Sequence, residues 1–190
     1  MSFDPSPPYT VLRTPQLSFH ELEQIRGVGR LLDLLNNSNR YEMFLLVVDL
    51  VFSDRVEFYR RLQEWWQQQG LFEEPLGLLP QFEALNQFID QIGDHLALRE
   101  ALARDFARAG RVVPGKAPLF FNCELTTVEQ QQIKQRIKQE LDRSAPGEKL
   151  QHFAAVFQTL SQPDSRSLVL YLYRSRSGKS PTVEEIVMQS

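Results

Sequence analysis

Three histidines and a single cysteine are the side chains best suited to ligate a metal or to act in nucleophilic catalysis. His20, His95 and His152 fall in three different predicted elements, and no two of them have the close spacing of a helical metal-binding pair. Cys123 follows an apolar run, and a thiol in such surroundings is usually unreactive. One cysteine also excludes an intrachain disulfide and a site of several thiolates. We therefore predict no catalytic residue, no cofactor-binding residue and no metal ligand in this chain.

Two glycine-containing stretches resemble phosphate-binding motifs without completing them. Ser177-Gly178-Lys179-Ser180 looks like the end of a phosphate-binding loop, but Tyr173 stands where that motif needs an earlier glycine. In Gly27-Val28-Gly29, Leu32 replaces the third glycine of a dinucleotide-binding motif, and the stretch lies within a helical pattern. We interpret the first stretch as a mobile basic turn and the second as a place where helices pack closely.

One adjacent pair, Asp94-His95, is compatible with a local acid–base pair. It directly follows Gly93 in a region of helical periodicity. Because a short polar side chain favours the start of a helix, we interpret the pair as the cap of a helix that restarts after the glycine.

The composition is that of an ordinary globular protein. Hydrophobic residues make up 42% and charged residues 24% of the 190 residues, enough to form a core without disulfides. The net charge is −3, whereas nucleic-acid binding draws most of its affinity from a basic excess. The longest apolar run, Met43–Phe52, contains Asp49 and is too short to span a bilayer. With one cysteine and no signal-peptide pattern, we expect a cytoplasmic protein that has neither nucleic-acid nor membrane partners.

The beginning of the chain predicts an extended arm followed by a helix. Residues 1–17 are rich in proline, which opposes helix formation, so we predict an arm or linker with a short strand at Tyr9–Thr14. Helix one begins with the capping box of Ser18 and Glu21. It ends in the asparagine-rich run 36–39, because asparagine tolerates the left-handed conformation that stops a helix.

Two more helices follow at once. Helix two, at about residues 40–52, is apolar on nearly every face, which predicts a central buried helix. We predict that Phe44, Leu45 and Val48 are buried between helices one and three. Helix three begins at Ser53 or Asp54 and ends at Gly70.

The C-terminal part of the sequence has a different character. Thr127 is predicted to cap a polar helix that reaches Arg143, with Gln130 completing a capping box. Two β-like runs follow at Leu150–Leu160 and Leu168–Tyr173. The turn signal at residues 161–164 separates them, so we predict a β-hairpin packed on the polar helix.

These patterns together predict the fold class. A further helical stretch, 82–106, is interrupted at Gly93. We predict a mainly α protein, a helical bundle with a small C-terminal α+β appendage of one helix and a β-hairpin. We place an arm or linker at residues 1–17, the helical core domain at 18–115 and the appendage at 116–190.

Two adjacent tryptophans, Trp65 and Trp66, point about 100° apart on a helix. One ring should therefore face the core while the other lies nearer the surface. An aromatic side chain near the surface is a good anchor for an interface. The alternative is that the second ring is covered by the loop at residues 71–80.

Several stretches resemble a known family in their order and spacing. They are Leu17-Ser18-Phe19-His20-Glu21-Leu22, Leu34-Leu35-Asn36-Asn37-Ser38-Asn39-Arg40-Tyr41, Phe52-Ser53, Phe58-Tyr59, Leu62, Trp65, Trp66, Gly70-Leu71 and Leu98-Arg99-Glu100-Ala101-Leu102-Ala103-Arg104-Asp105-Phe106. Together they resemble the uncharacterised C-terminal domain of cobalamin-binding radical-SAM enzymes. Family members tend to carry glycine at the position of Asn39, which can still adopt a left-handed turn.

The resemblance implies a parent enzyme with a cobalamin-binding domain and a radical-SAM barrel upstream of this chain. The parent's cofactors would be a four-iron four-sulfur cluster, S-adenosylmethionine and cobalamin. The family's barrel holds its cluster through a Cys-x-x-x-Cys-x-x-Cys loop, which this chain lacks. No catalytic residue of the family can therefore be assigned to a position here.

On this basis the chain is expected to be an accessory domain without catalytic activity of its own. It would dock on the radical-SAM and cobalamin-binding domains of the same polypeptide and help to shape or cover the substrate site. The alternative is a stand-alone helical module that binds another protein. The coding sequence upstream of Met1, which we expect not to be a natural start, discriminates between the two.

We predict that the isolated chain purifies colourless, because one cysteine and three scattered histidines cannot supply the ligands of a cluster or a corrinoid. Elemental analysis for iron and cobalt is the measurement. About one cluster or one corrinoid per chain would contradict this prediction.

Overall fold

The computed structural model describes residues 2–3, 11–13, 16–93, 95–158 and 166–188. These residues form a mainly α-helical protein with a small antiparallel sheet near the C-terminus, which confirms the predicted fold class. The chain divides into two compact units after residue 84, and this boundary lies within a helix.

The first unit holds a short strand pair and most of the early helices. The strand Val11–Arg13 of this antiparallel pair overlaps the strand predicted at Tyr9–Thr14, whereas the strand Ser2–Phe3 was not predicted; the prolines of the arm lie outside the described residues. The elements are β1 Ser2–Phe3, β2 Val11–Arg13, α1 Phe19–Leu32, a π-helical turn Asp33–Asn37, α2 Glu42–Val51, α3 Arg55–Gln68 and the first half of α4 Leu78–Gln91.

Both predicted ends of helix one are confirmed. The Ser18 hydroxyl accepts a hydrogen bond from the Glu21 amide at 3.3 Å, and the Glu21 carboxylate accepts from the Ser18 amide at 2.7 Å. The asparagine-rich run closes with Asn39 at φ 54°, in the left-handed region. Short polar side chains thus fix where this helical segment starts and stops.

Helix α2 contributes one side to the core of the first unit. Phe44, Leu45 and Val48 are buried as predicted, and the Phe44 ring packs edge-on against Phe58 with centroids 6.0 Å apart. The prediction of a central buried helix is wrong, because Leu46 and Leu50 on its outer side are 57% and 84% exposed. An apolar sequence alone does not surround a helix with partners.

The two glycines of α1 have different environments. A Cβ atom on Gly27 would lie 2.9 Å from Cγ of the buried Gln63 on α3, so this glycine permits the close helix packing that we predicted. Gly29 has open space at the same point and takes no part in it. The tryptophans also separate as predicted, since Trp66 is buried and Trp65 is half-buried.

The second unit contains three antiparallel strands in the order β3-β4-β5 and the helices beside them. The elements are the second half of α4, α5 Leu96–Ala109, α6 Thr127–Arg143, β3 Lys149–Phe157, β4 Ser167–Ser175 and β5 Thr182–Met188.

Two details of the tail differ from the sequence prediction, and a third is not tested. The predicted hairpin is a three-stranded sheet, because β5 adds to it; the adjacent Glu184 and Glu185 had obscured the alternation of that strand. The cap of α6 is Thr126, and its box is closed by Glu129, one residue earlier than predicted in each case. The predicted turn at residues 161–164 lies outside the described residues.

The sheet lies between two helices of its own unit. One face buries leucines of β4 against Ile133 of α6. On the other face, the Tyr173 hydroxyl donates a hydrogen bond to the Ala107 carbonyl of α5 at 3.1 Å. Helix α5 therefore packs with the sheet, although the sequence analysis places it in the helical core of residues 18–115. The predicted domain boundaries themselves stay a prediction.

A bilayer-spanning helix needs both sufficient length and apolar character. None of the helices that the structure describes is both long enough and apolar enough to cross a bilayer.

We predict that Leu45→Ala lowers the free energy of unfolding by about 2–5 kcal/mol, because it leaves a cavity in the core of the first unit. The matched control is Leu50→Ala on the exposed side of the same helix, which should change stability by about 0.5 kcal/mol or less. Urea unfolding of both variants is the measurement. Equal losses in the two variants would contradict the burial of Leu45.

Candidate functional site

An apolar groove of about 610 Å³ lies between α6 and β3, and we name it the α6–β3 groove. Its volume falls in the range of ordinary binding sites. It is lined by Pro114, Gly115, Cys123, Leu125, Gln130, Ile133, Lys134, Ile137, Lys138, Leu141, His152, Phe153 and Ala154.

The helical wall of this groove is the narrow apolar stripe that the sequence contains. Ile133, Ile137 and Leu141 recur every fourth residue and so share one side of α6. Ile133 is buried in the core of the sheet, whereas Leu141 is 54% exposed. The stripe therefore begins as core and continues as open apolar surface.

The opposite boundary of the groove is the free edge of β3. Strand β3 pairs with β4 on one side only, since β4 is the central strand. At the end of β3, the Val156 amide points away from β4 and donates to the Asn122 carbonyl at 2.8 Å. Backbone groups alternate in direction along an antiparallel strand, so the amides and carbonyls of His152 and Ala154 also point outward. No residue in the described ranges pairs with them there.

The charges that line the groove are of one sign. Lys134 and Lys138 lie one helical turn apart on α6, and both are exposed. Within the described part of the chain, neither ammonium group has a carboxylate within ion-pairing distance. Among the described residues that line the groove none is acidic, although the whole chain carries a net charge of −3. The groove thus offers a local positive rim around apolar walls.

The structure brings two of the four sequence candidates, Cys123 and His152, into this groove. Their pKa values move in opposite directions for the same physical reason, since partial desolvation disfavours the charged form of each group. It raises the pKa of the Cys123 thiol and lowers the pKa of the His152 imidazole. Both groups are therefore held in the neutral form, which is unlike an activated thiolate–imidazolium pair. The groove is suited to binding rather than to nucleophilic attack.

The other sequence candidates lie elsewhere. His20 is exposed in the first turn of α1, and His95 precedes the first residue of α5. The stretch from Ser177 to Ser180 forms the turn between β4 and β5, with Gly178 at φ 78°. A strand rather than a helix follows this turn, so the phosphate-loop reading is not supported. Among the residues that the structure describes, no group of three or more potential ligands could hold a metal ion.

Two ion-pair clusters were not found from the sequence. Glu185 of β5 accepts from Arg104 at 2.8 Å and from Arg108 at 2.7 Å, and only 10% of its side chain is exposed. Glu140 of α6, also buried, accepts from Arg174 of β4 at 2.5 Å. The partners are separated by 34 to 81 residues, and no local pattern connects them. Both clusters fasten helices to the sheet.

A second apolar groove of about 660 Å³ lies on the first unit, and we name it the α1–α3 groove. Val56 on α3 is 71% exposed and Leu32 on α1 is 40% exposed. Asn36 donates a hydrogen bond to the Tyr59 hydroxyl at 2.6 Å between the two helices. The groove is lined by Val28, Leu32, Asn36, Asn37, Arg55, Val56, Tyr59 and Arg60.

The arginines of the α1–α3 groove are already neutralised. Arg55 forms an ion pair with Asp49, and Arg60 pairs with Glu57 at 2.9 Å and with Glu64 at 2.6 Å. The hydrogen bonds that Glu57 accepts from Arg60 and Arg61 lower the pKa of its carboxyl to about 2. This groove is therefore apolar with a balanced polar rim, in contrast to the positive rim of the α6–β3 groove.

We predict that Cys123 is alkylated slowly by iodoacetamide at pH 7.5, because its raised pKa leaves little thiolate. The rate should rise with pH and reach its midpoint above the value of about 8.5 for a free cysteine. The control is the same chain unfolded in about 8 M urea, where the midpoint should lie near the value for a free cysteine. A native midpoint at or below that of the unfolded chain would contradict the prediction.

Comparison with known proteins places the chain in a family. A family model described as protein of unknown function (DUF4080) matches residues 1–161, which excludes most of the C-terminal sheet. No curated protein and no solved structure matches the chain. Since the family model covers well over half of the sequence, the chain belongs to the family of proteins of unknown function DUF4080.

Proposed function

We propose that this chain is an accessory C-terminal domain of a cobalamin-dependent radical-SAM enzyme, without catalytic activity of its own. It docks on the radical-SAM and cobalamin-binding domains of the parent protein and helps to shape or cover the substrate site. The iron–sulfur cluster, S-adenosylmethionine and cobalamin are bound by those other domains. The resembling stretches, from Leu17 to Phe106, support this proposal, and all of them fall within the family match.

The observation that carries the docking role is the exposed apolar surface of the α1–α3 groove. Val56 and Leu32 present aliphatic side chains to solvent on neighbouring helices. Ile25, one turn before Val28 on α1, extends the same stripe and is 56% exposed. A contiguous apolar surface with a polar rim is typical of a protein–protein interface.

The interface anchor proposed from the sequence lies elsewhere on α3. Trp65 follows Val56 by nine positions, which places the two side chains about 180° apart around the helix. Docking through Trp65 and docking through the α1–α3 groove are therefore separate possibilities that mutations can distinguish. We favour the groove because Val56 is largely exposed, whereas Trp65 is half-buried.

A first test is the genomic sequence before the codon of Met1. The proposal expects an open reading frame that encodes a Cys-x-x-x-Cys-x-x-Cys loop. An authentic start codon with its own leader at Met1 would instead favour the alternative, a stand-alone module that binds another protein.

We predict that Val56→Glu weakens binding of this chain to the separately expressed radical-SAM portion by at least about tenfold, or about 1.4 kcal/mol. A buried carboxylate without a partner opposes an apolar interface. The matched control is Leu50→Glu, which alters an equally exposed aliphatic residue that does not line the groove. Isothermal titration calorimetry is the measurement, with thermal melting to verify folding.

The pattern of losses separates the two docking surfaces. Loss in Val56→Glu alone supports the α1–α3 groove, and loss in Trp65→Ala alone assigns docking to the tryptophan side of α3. If wild type does not bind at high concentration, the docking proposal is wrong.

A further inference from the structure

We propose that the α6–β3 groove accepts an extended peptide segment of a partner protein, which adds to the free edge of β3 as a fourth strand. The segment carries apolar side chains on the face toward α6 and at least one acidic side chain near Lys134 and Lys138. This site is independent of the α1–α3 groove and of the enzyme proposed as parent.

The first support is the backbone of β3. His152 and Ala154 direct outward amides and carbonyls toward the groove, and no residue in the described ranges pairs with them. Such groups are hydrogen-bonding positions for an added strand, which gains affinity from main-chain pairing. Asn122 already forms an antiparallel bridge with Val156 on the same edge. The incoming strand would continue along the line that Asn122 begins.

The second support is the space beside that edge. The groove beside β3 is lined by the apolar stripe of α6 and also by Pro114 and Gly115. Its volume of about 610 Å³ leaves room for side chains of an added segment. Successive side chains of a strand point to opposite faces, so alternate residues of the segment would meet Ile137 and Leu141.

The third support is charge. Lys134 and Lys138 have no ion-pair partner in the described ranges, and no carboxylate lines the groove. A segment with aspartate or glutamate would provide the missing opposite charge. Such complementarity favours one class of partner over others and accelerates encounter.

The same charges oppose a second copy of this chain as the occupant. Strand β3 has no acidic residue and contains Lys149, so edge-to-edge pairing of two β3 strands adds no carboxylate. Strand β5 contains Glu184 and Glu185, but Glu185 is held by Arg104 and Arg108, and Glu184 lies 3.7 Å from Arg174 of its own chain. The geometry therefore points to a different protein as the source of the strand.

The test begins with selection of a phage-displayed library of random decapeptides against the full 190-residue chain. The proposal expects enriched peptides with apolar residues at alternate positions and at least one aspartate or glutamate. The best peptide is then synthesised and titrated into isotopically labelled protein. Its binding should shift the amide signals of His152 and Ala154 and slow their hydrogen exchange.

Two variants distinguish binding by strand addition from non-specific binding. Ala154→Pro removes an outward amide, and proline is tolerated at such an edge position because the ladder to β4 does not use that group. This change should lower the affinity of the peptide at least tenfold. Lys134→Glu combined with Lys138→Glu should weaken it by a similar factor. Lys179→Glu, in the β4–β5 turn, is the matched charge control and should change affinity less than twofold.

Several results would overturn the proposal. They are the enrichment of no peptide, binding that maps to other residues, a bound peptide that is helical, and unchanged affinity in a folded Ala154→Pro variant. Binding of dodecanoate in the groove without any peptide selection would assign the site to a small amphipathic anion instead. Hydrogen exchange of the wild-type amides decides the matter if Ala154→Pro fails to fold.

Discussion

The burial of β4 on both of its faces is the constraint on which the second unit depends. Leu170 and Leu172 of this strand face α6, while Tyr171 and Tyr173 face the side occupied by α5. A strand covered on both faces needs a helix on each side and a neighbouring strand along each edge. The positions of α5, α6, β3 and β5 all follow from this requirement.

Ion pairs at the two faces fasten this arrangement. Glu185 connects β5 to α5 through two arginines, and Glu140 connects α6 to β4 through Arg174. Each carboxylate is largely buried and contacts guanidinium groups of its own chain, so removing those arginines would leave a buried group without its partners. These pairs connect α5 and α6 to particular strands of the sheet.

The central position of β4 also makes β3 an edge strand. Ile133 of α6 packs against the leucines of β4. The apolar stripe of the helix continues beyond them to Ile137 and Leu141. Edge strands with unpaired backbone are usually protected by charge or by a covering segment. Here Asn122 covers one position and two lysines flank the rest. The α6–β3 groove lies where the apolar side of α6 extends past the edge of β3.

The two grooves differ in the physical character of their rims. Arginines beside Val56 are neutralised by carboxylates of the same chain, so the α1–α3 groove is suited to an apolar partner surface. Lysines of the α6–β3 groove have no such partners in the described ranges, so the rim of that groove is positively charged. The two grooves therefore differ in charge although both have apolar walls.

The sequence by itself determined the features that depend on neighbouring residues. Ser18 and Glu21 form the predicted capping box, Asn39 stops the helical segment, and Gly27 allows close packing against α3. The division of Trp65 and Trp66 between surface and core follows from helical geometry alone. These interactions span a few residues or one helical turn, so their pattern is visible in the chain.

Only the tertiary structure decided what depends on distant partners. The same apolar stretch buries Leu45 but leaves Leu50 exposed, because burial depends on which side of α2 meets other elements. Strand β5 was missed because the sequence does not reveal that Glu185 meets arginines of α5. The α6–β3 groove likewise exists only once β4 becomes the central strand. Pairing order and the choice of neighbours are set by long-range packing, which brings together residues that no local pattern relates.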